Sequence, residues 1–181
     1  MRTFRKTMTV LVVVLVGLGV AVLAIRLYMG RDAESRLRAE EQIDFAAPLP
    51  PLDPSHTYVL CPPAGRCKPP ADKAGGSSPV FPVAWERLRD YWREMVAMQP
   101  RTDLVDASPD RRHLVYIQRS AVFRFPDIIT VEFMPDPGGA SSTIAIVSTS
   151  RYGKTDLGVN RARVTNWIEI LKTMLRREPE A

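Results

Sequence analysis

The sequence predicts an α+β fold: a two-layer sandwich of a mostly antiparallel sheet of about four strands with two helices, joined by a proline-rich linker to an N-terminal transmembrane helix. Three observations predict it. Residues 9–25 hold no charged side chain. Ten of the sixteen prolines fall between Pro48 and Pro82. Beyond them, two stretches of helical apolar spacing enclose a run of short β-type segments separated by turn residues.

At 181 residues the chain has room for one domain and appendages. Its formal net charge of +5 is unevenly placed. Arg2, Arg5, Lys6 and Arg26 stand in the first 29 residues with no acid. Residues 30–83 carry six Lys/Arg against seven Asp/Glu, and residues 84–181 carry fifteen against thirteen. A general nucleic-acid binder needs a basic stripe on its folded part, and this distribution gives none, so no nucleic-acid partner is expected.

The apolar segment comes first. With Met8 before it and Leu27, Tyr28 and Met29 after Arg26, residues 8–29 are long enough to cross a hydrocarbon core of ~30 Å. Arg26 can snorkel to the interface and Tyr28 suits the headgroup level. Arg2, Arg5 and Lys6 precede the span, which places the N-terminus in the cytoplasm and the rest outside it. Residues 1–29 are therefore read as a single-pass membrane anchor, with the C-terminal domain outside the cytoplasm. A cleaved signal peptide ending near Val22-Leu23-Ala24 is the competing reading.

Residues 30–81 follow as a linker. Residues 31–42 read as a polar helix continuing the anchor, and the prolines then disfavour both helix and central strand. The expectation is an extended tether, most flexible at Ala74-Gly75-Gly76-Ser77-Ser78. Cys61 and Cys67, five residues apart and the only cysteines, read as a disulfide-closed loop in an oxidising compartment. A metal site would need further ligands from a chain whose histidines are His56 and His113 alone, so none is expected.

The domain spans residues 82–181. Trp85, Leu88, Trp92, Met95 and Met98 recur at helical spacing, with Pro82 suited to a first turn and Pro100 as a stop. The strands are expected at 102–107, 113–118, 128–134 and 142–148. Residues 113–118 are apolar on both faces, as a central strand would be. In 128–134, Ile129, Val131 and Phe133 alternate with Thr130, Glu132 and Met134. Pro126 makes residues 123–127 a bend or an edge. The closing helix puts Val164, Trp167, Ile168, Leu171, Met174 and Leu175 on one face.

Chemistry-bearing residues gather between the last strand and that helix. Ser148, Ser150, Arg151, Asp156, Asn160, Arg161 and Arg163 lie within sixteen residues, with Gly153 and Gly158 among them. Cations in a first helical turn oppose the dipole. The compensation is either internal, through Asp127, Glu132 or Asp156, or an external anion held by arginines and free backbone N–H groups. Arg124 and Asp127 form a second cluster that a sequential sheet brings near. Asp127 and Asp156 are the pair an acid–base reaction would use. No phosphate loop, dinucleotide fingerprint or zincin motif occurs, and no cofactor is expected.

These two clusters carry a resemblance. Val115 to Ser120, Phe123-Arg124-Phe125-Pro126-Asp127, Ser148-Thr149-Ser150-Arg151-Tyr152-Gly153 and Asp156-Leu157-Gly158-Val159-Asn160-Arg161-Ala162-Arg163-Val164 resemble the bacterial domain of unknown function family 1499, over residues about 80–177. The resemblance implies a short, anchored or exported envelope protein, which makes the expected location the bacterial inner membrane with the C-terminal domain periplasmic, and it implies no reaction. Two functions are thus expected in order. The first is an envelope module whose domain binds a protein partner or an anionic ligand. The second is an enzyme, or enzyme accessory, acting on an anionic envelope substrate.

Overall fold

The computed structural model describes residues 2–40, 43–45, 47, 49–63, 67 and 75–177. Its elements are helix α1 (Arg2–Glu40), strands β1 (Thr57–Cys61) and β2 (Gly75–Ser77), helix α2 (Trp85–Ala97), strands β3 (Thr102–Ala107), β4 (His113–Arg119), β5 (Pro126–Pro135) and β6 (Ser142–Ser150), and helix α3 (Val159–Arg176). The fold class is α+β, as the sequence predicts, but the sheet has six strands in the order β2-β1-β6-β5-β4-β3. It is mixed: β1 and β2 run parallel, and the other neighbours are antiparallel.

The two additional strands lie in the stretch expected to be tether. All five residues of β1 are buried, and β1 pairs along β6 from Thr57 opposite Thr149 to Leu60 opposite Ile146. The flanking Pro54 and Pro62 end the segment without entering its ladder. Gly75 and Gly76, expected to be the flexible point, hydrogen-bond to β1 as part of β2. An extended linker is therefore not what residues 57–61 and 75–77 form. Pro48, Pro69, Pro70 and residues 64–66 inside the cysteine loop lie outside the described residues. Cys61 and Cys67 stand at disulfide distance, with their Cα atoms 5.4 Å apart.

The helices cover one face of the sheet. Leu88, Trp92 and Met95 of α2 and Val164, Trp167, Ile168 and Leu171 of α3 close over Tyr58, Leu60, Tyr116, Ile129, Val131, Phe133, Ile144 and Ile146. Trp92 sits edge-on to Trp167 and Phe133, with centroids 5.6 and 6.3 Å apart. Met98, expected on the apolar face of α2, is the exposed C-cap residue, and Val96 is buried instead. Pro126, expected at a bend or edge, is the first residue of β5, a position that needs no ladder donor from it. The opposite face is covered too. Ile43, Phe45, Cys61 and Cys67 pack against Val59, Ala145 and Val147, with Leu49, Leu52 and Met134 beside them. That second cover explains why β6 is buried along almost its whole length.

His113 opens β4 beneath this second cover, edge-on to Phe45. Burial pushes its pKa below the ordinary 6.5, against the opposing pull of Asp106, Asp44 and Asp110. The folded state therefore resists a proton that the unfolded chain accepts. In the window from the unfolded value down to the lowered folded one, the unfolded state binds more protons, so stability falls as pH falls. Melting curves between pH 7 and 5 should show this slope, and His113→Gln should flatten it.

Candidate functional site

The helix-facing side of the sheet is apolar for most of its length and polar at one end. Gln118 of β4 stands opposite Asp127 of β5, which stands opposite Ser150 of β6. Ser148 lies two residues along on the same face. The first turns of α3 present Asn160 and Arg163 to this row, because they precede Val164, Trp167 and Ile168 on the buried side of the helix.

Arg163 is 8% exposed, and its guanidinium fork is occupied. Its Nε donates to Gln118 Oε1 at 2.6 Å, and Nη1 donates to Ser148 Oγ at 2.9 Å and to Asn160 Oδ1. Nη2 donates to Asp127 Oδ2 and closes a salt bridge with it. Asn160 is fully buried: Oδ1 also accepts from Ser148 Oγ at 2.7 Å, and Nδ2 donates to Ser150 Oγ at 3.0 Å and to the His56 carbonyl oxygen at 2.9 Å.

Asp156 serves the helix start. Its Oδ1 accepts the Gly158 N–H at 2.9 Å, and its Oδ2 accepts the Asn160 N–H at 2.8 Å. A carboxylate on these N–H groups satisfies donors that a first turn leaves open and compensates the positive end of the dipole. The tight entry requires Leu157 and Gly158 to take φ of 54° and 81°. Gly158 meets that at no steric cost, whereas Leu157 is strained.

Seven of the nine sequence-derived candidates are thus accounted for in or around one network. Asp127, Ser148, Ser150, Asn160 and Arg163 form its buried part, Asp156 caps the helix above it, and the Arg151 N–H donates to the Pro126 carbonyl oxygen at 3.2 Å. Arg161 is not drawn in. It lies exposed with its guanidinium carbon 5.8 Å from the Tyr58 ring centroid. Arg124 is half-buried at φ 62° in the loop before β5.

Sequence reasoning missed three contributors. Gln118 reads in the sequence as the end of a strand and part of the family resemblance, with no site role. His56 and Ser55 were placed in the tether, yet the His56 carbonyl accepts from Asn160 and from the Ser150 N–H, and the Ser55 carbonyl accepts from the Asp156 N–H. No local signal ties residues 55–57 to a corner a hundred positions later.

The described cavities lie elsewhere. One of about 510 Å³ is lined by Pro62, Val80, Glu132 and Pro135 at the far end of β5, and one of about 190 Å³ lies between β1 and α3. Neither is lined by any of the nine candidates. Among the described residues no three His, Cys, Asp or Glu side chains gather as metal ligands.

A family model described as a protein of unknown function (DUF1499) matches residues 72–171. No curated protein and no solved structure matches the chain.

Proposed function

The chain belongs to the DUF1499 family, and from that premise we propose a single-pass inner-membrane protein that holds its α+β domain in the periplasm to bind an anionic ligand. The observation that carries the reading is α1. Its segment Lys6–Tyr28 is 23 residues of apolar helix, none of it buried against the protein. At 1.5 Å per residue it reaches about 35 Å, enough for a bilayer core. The helix runs unbroken past Ala24 to Glu40.

The corner divides into two parts. Its inner half is a brace, since Arg163 answers Asp127 directly. Outside it, Lys154 in the loop before α3 and Arg161 in the first turn of α3 are exposed, and Arg124 is half-buried in the loop before β5; these are the groups assigned to the ligand. Turnover is the weaker reading, because the carboxylates it needs are engaged: Asp127 by Arg163, and Asp156 by two backbone N–H groups.

Thermal unfolding of the full chain in detergent, with phosphate, pyrophosphate or sulfate added, tests the assignment. An anion at about 100 times its dissociation constant adds ~2.7 kcal/mol. Lys154→Gln and Arg161→Gln should remove that response and leave the unliganded melting temperature nearly unchanged. A melting temperature that no anion shifts overturns it. A reporter fused after Ala181 and read in intact cells tests the periplasmic side.

A further inference from the structure

The two loops that frame the corner carry more apolar surface than a solvated rim needs. Val122 and Phe123 in the loop before β5 are 58% and 40% exposed, and Leu157 before α3 and Val159 at its start are 89% and 50% exposed. Phe123 stacks on Phe125, and Phe125 on Tyr152, at 5.4 and 5.8 Å, so an aromatic ladder joins the loops. Leu157 is held at φ 54°. A strained leucine presented to water gains nothing from its own fold, and strain of that kind concentrates where a surface meets something else. The same two loops carry Arg124 and Lys154, and the first turn of α3 carries Arg161. The single acid in residues 120–125 and 151–159 is Asp156, whose carboxylate is taken by backbone donors.

The apolar helix bears on what this surface meets. Arg26 lies near the C-terminal end of the Lys6–Tyr28 span, where an arginine reaches for the headgroup level. Its Nη2 donates to the Ala121 carbonyl oxygen at 3.3 Å. Ala121 immediately precedes Val122 and Phe123, so with Lys6–Tyr28 crossing a bilayer as proposed above, the loop tip is level with the end of the span. Exposed apolar and aromatic side chains in loops that also carry cations match an interface of acyl chains beneath anionic headgroups.

We propose that the loops at residues 120–125 and 151–159 form a docking surface for an anionic phospholipid bilayer, which seats the domain on the membrane that holds its own anchor. The proposal rests on the anion-binding reading above and names the ligand as a lipid phosphate. Val122, Phe123 and Leu157 enter the acyl boundary, and Arg124, Lys154 and Arg161 engage headgroup phosphates.

The test uses the full chain in nanodiscs of phosphatidylcholine, with or without phosphatidylglycerol, each with plain or brominated acyl chains. Phe123→Trp and Leu157→Trp report on the surface, with Val122→Trp in reserve should either fail to fold. Val80→Trp, 53% exposed beside the far end of β6, is the control. The emission of the unsubstituted chain is subtracted. Brominated acyl chains should quench the tryptophans at 123 and 157, more strongly with phosphatidylglycerol, and spare the one at 80. Each of Lys154→Gln and Arg161→Gln, added to the Phe123→Trp chain, should lower the docked-to-undocked ratio about fivefold in anionic nanodiscs. Unquenched tryptophans at 123 and 157 overturn the docking proposal. If phosphate still raises the melting temperature in that case, the anion site survives with a soluble ligand. If only polyglutamate raises it, the surface receives an acidic protein instead. If neither does, both readings fall together.

Discussion

Arg163→Ala is expected to destabilise the fold by about 3–5 kcal/mol, the range for removing one partner of a buried ion pair. The substitution leaves the Asp127 carboxylate, 14% exposed, without its cation. It also takes a donor from Gln118, Ser148 and Asn160, each of which accepts a hydrogen bond from the same guanidinium. Arg161→Ala, two positions away on the exposed side of the helix, should move stability by no more than about 0.5 kcal/mol. The contrast is the informative part, because the two residues share chemistry and neighbourhood and differ only in which way the helix turns them. Arg163→Met combined with Asp127→Leu should recover much of the loss, since no uncompensated charge then remains. Urea unfolding of the four chains in detergent measures all of this. Equal stability of the two alanine variants would show that the buried network does not brace the corner.

The stripe of α3 from Val164 onward is legible in the sequence, whereas its extension back to Asn160 and Arg163, which separates the two arginines, comes from the structure. Asn160, Arg163, Val164, Trp167, Ile168 and Leu171 fall at intervals of three and four, and all are buried. Arg161 falls off that stripe. The alternation in β5 was equally readable, with Ile129, Val131 and Phe133 under the helices and Met134 turned to the opposite face. β1 was not readable. Its residues are buried on both faces, so no alternation marks them, and the run is five residues long between prolines. Its partner β6 begins more than eighty positions later, and nothing local encodes a pairing at that separation. β2 is harder still, because Gly75-Gly76-Ser77 has little strand propensity and owes its place to the backbone of β1. The candidate site shows the same division. The residues local to α3 and to the ends of β5 and β6 were found, and those delivered by the long connection, Ser55 and His56, were not.

A chain shortened to begin at Pro82 should fail to give a stable soluble domain, although it keeps nine-tenths of the residues that the family match covers. It would lose Ile43, Phe45, Val59 and Leu60, all buried. At about 1.5–3 kcal/mol for each large apolar side chain, that loss is comparable with the whole stability of an ordinary domain, roughly 5–15 kcal/mol. It would also lose the Thr57–Thr149 hydroxyl contact at 2.8 Å and the His56 carbonyl that accepts from Asn160. The nine-residue β6, buried on both faces and apolar at Ile144–Val147, would become an open edge, the feature that templates pairing with other chains. A chain that begins at residue 41 retains β1, β2 and the cover over the second face, and should fold without its anchor. Soluble yield, circular dichroism and thermal unfolding of the two chains decide between these outcomes. Cooperative unfolding of the shorter chain at the temperature of the longer one would mean that β1 is an accessory laid on a finished sheet. Aggregation of the shorter chain alone would mean that the sheet is completed only by the segment the prolines disguise.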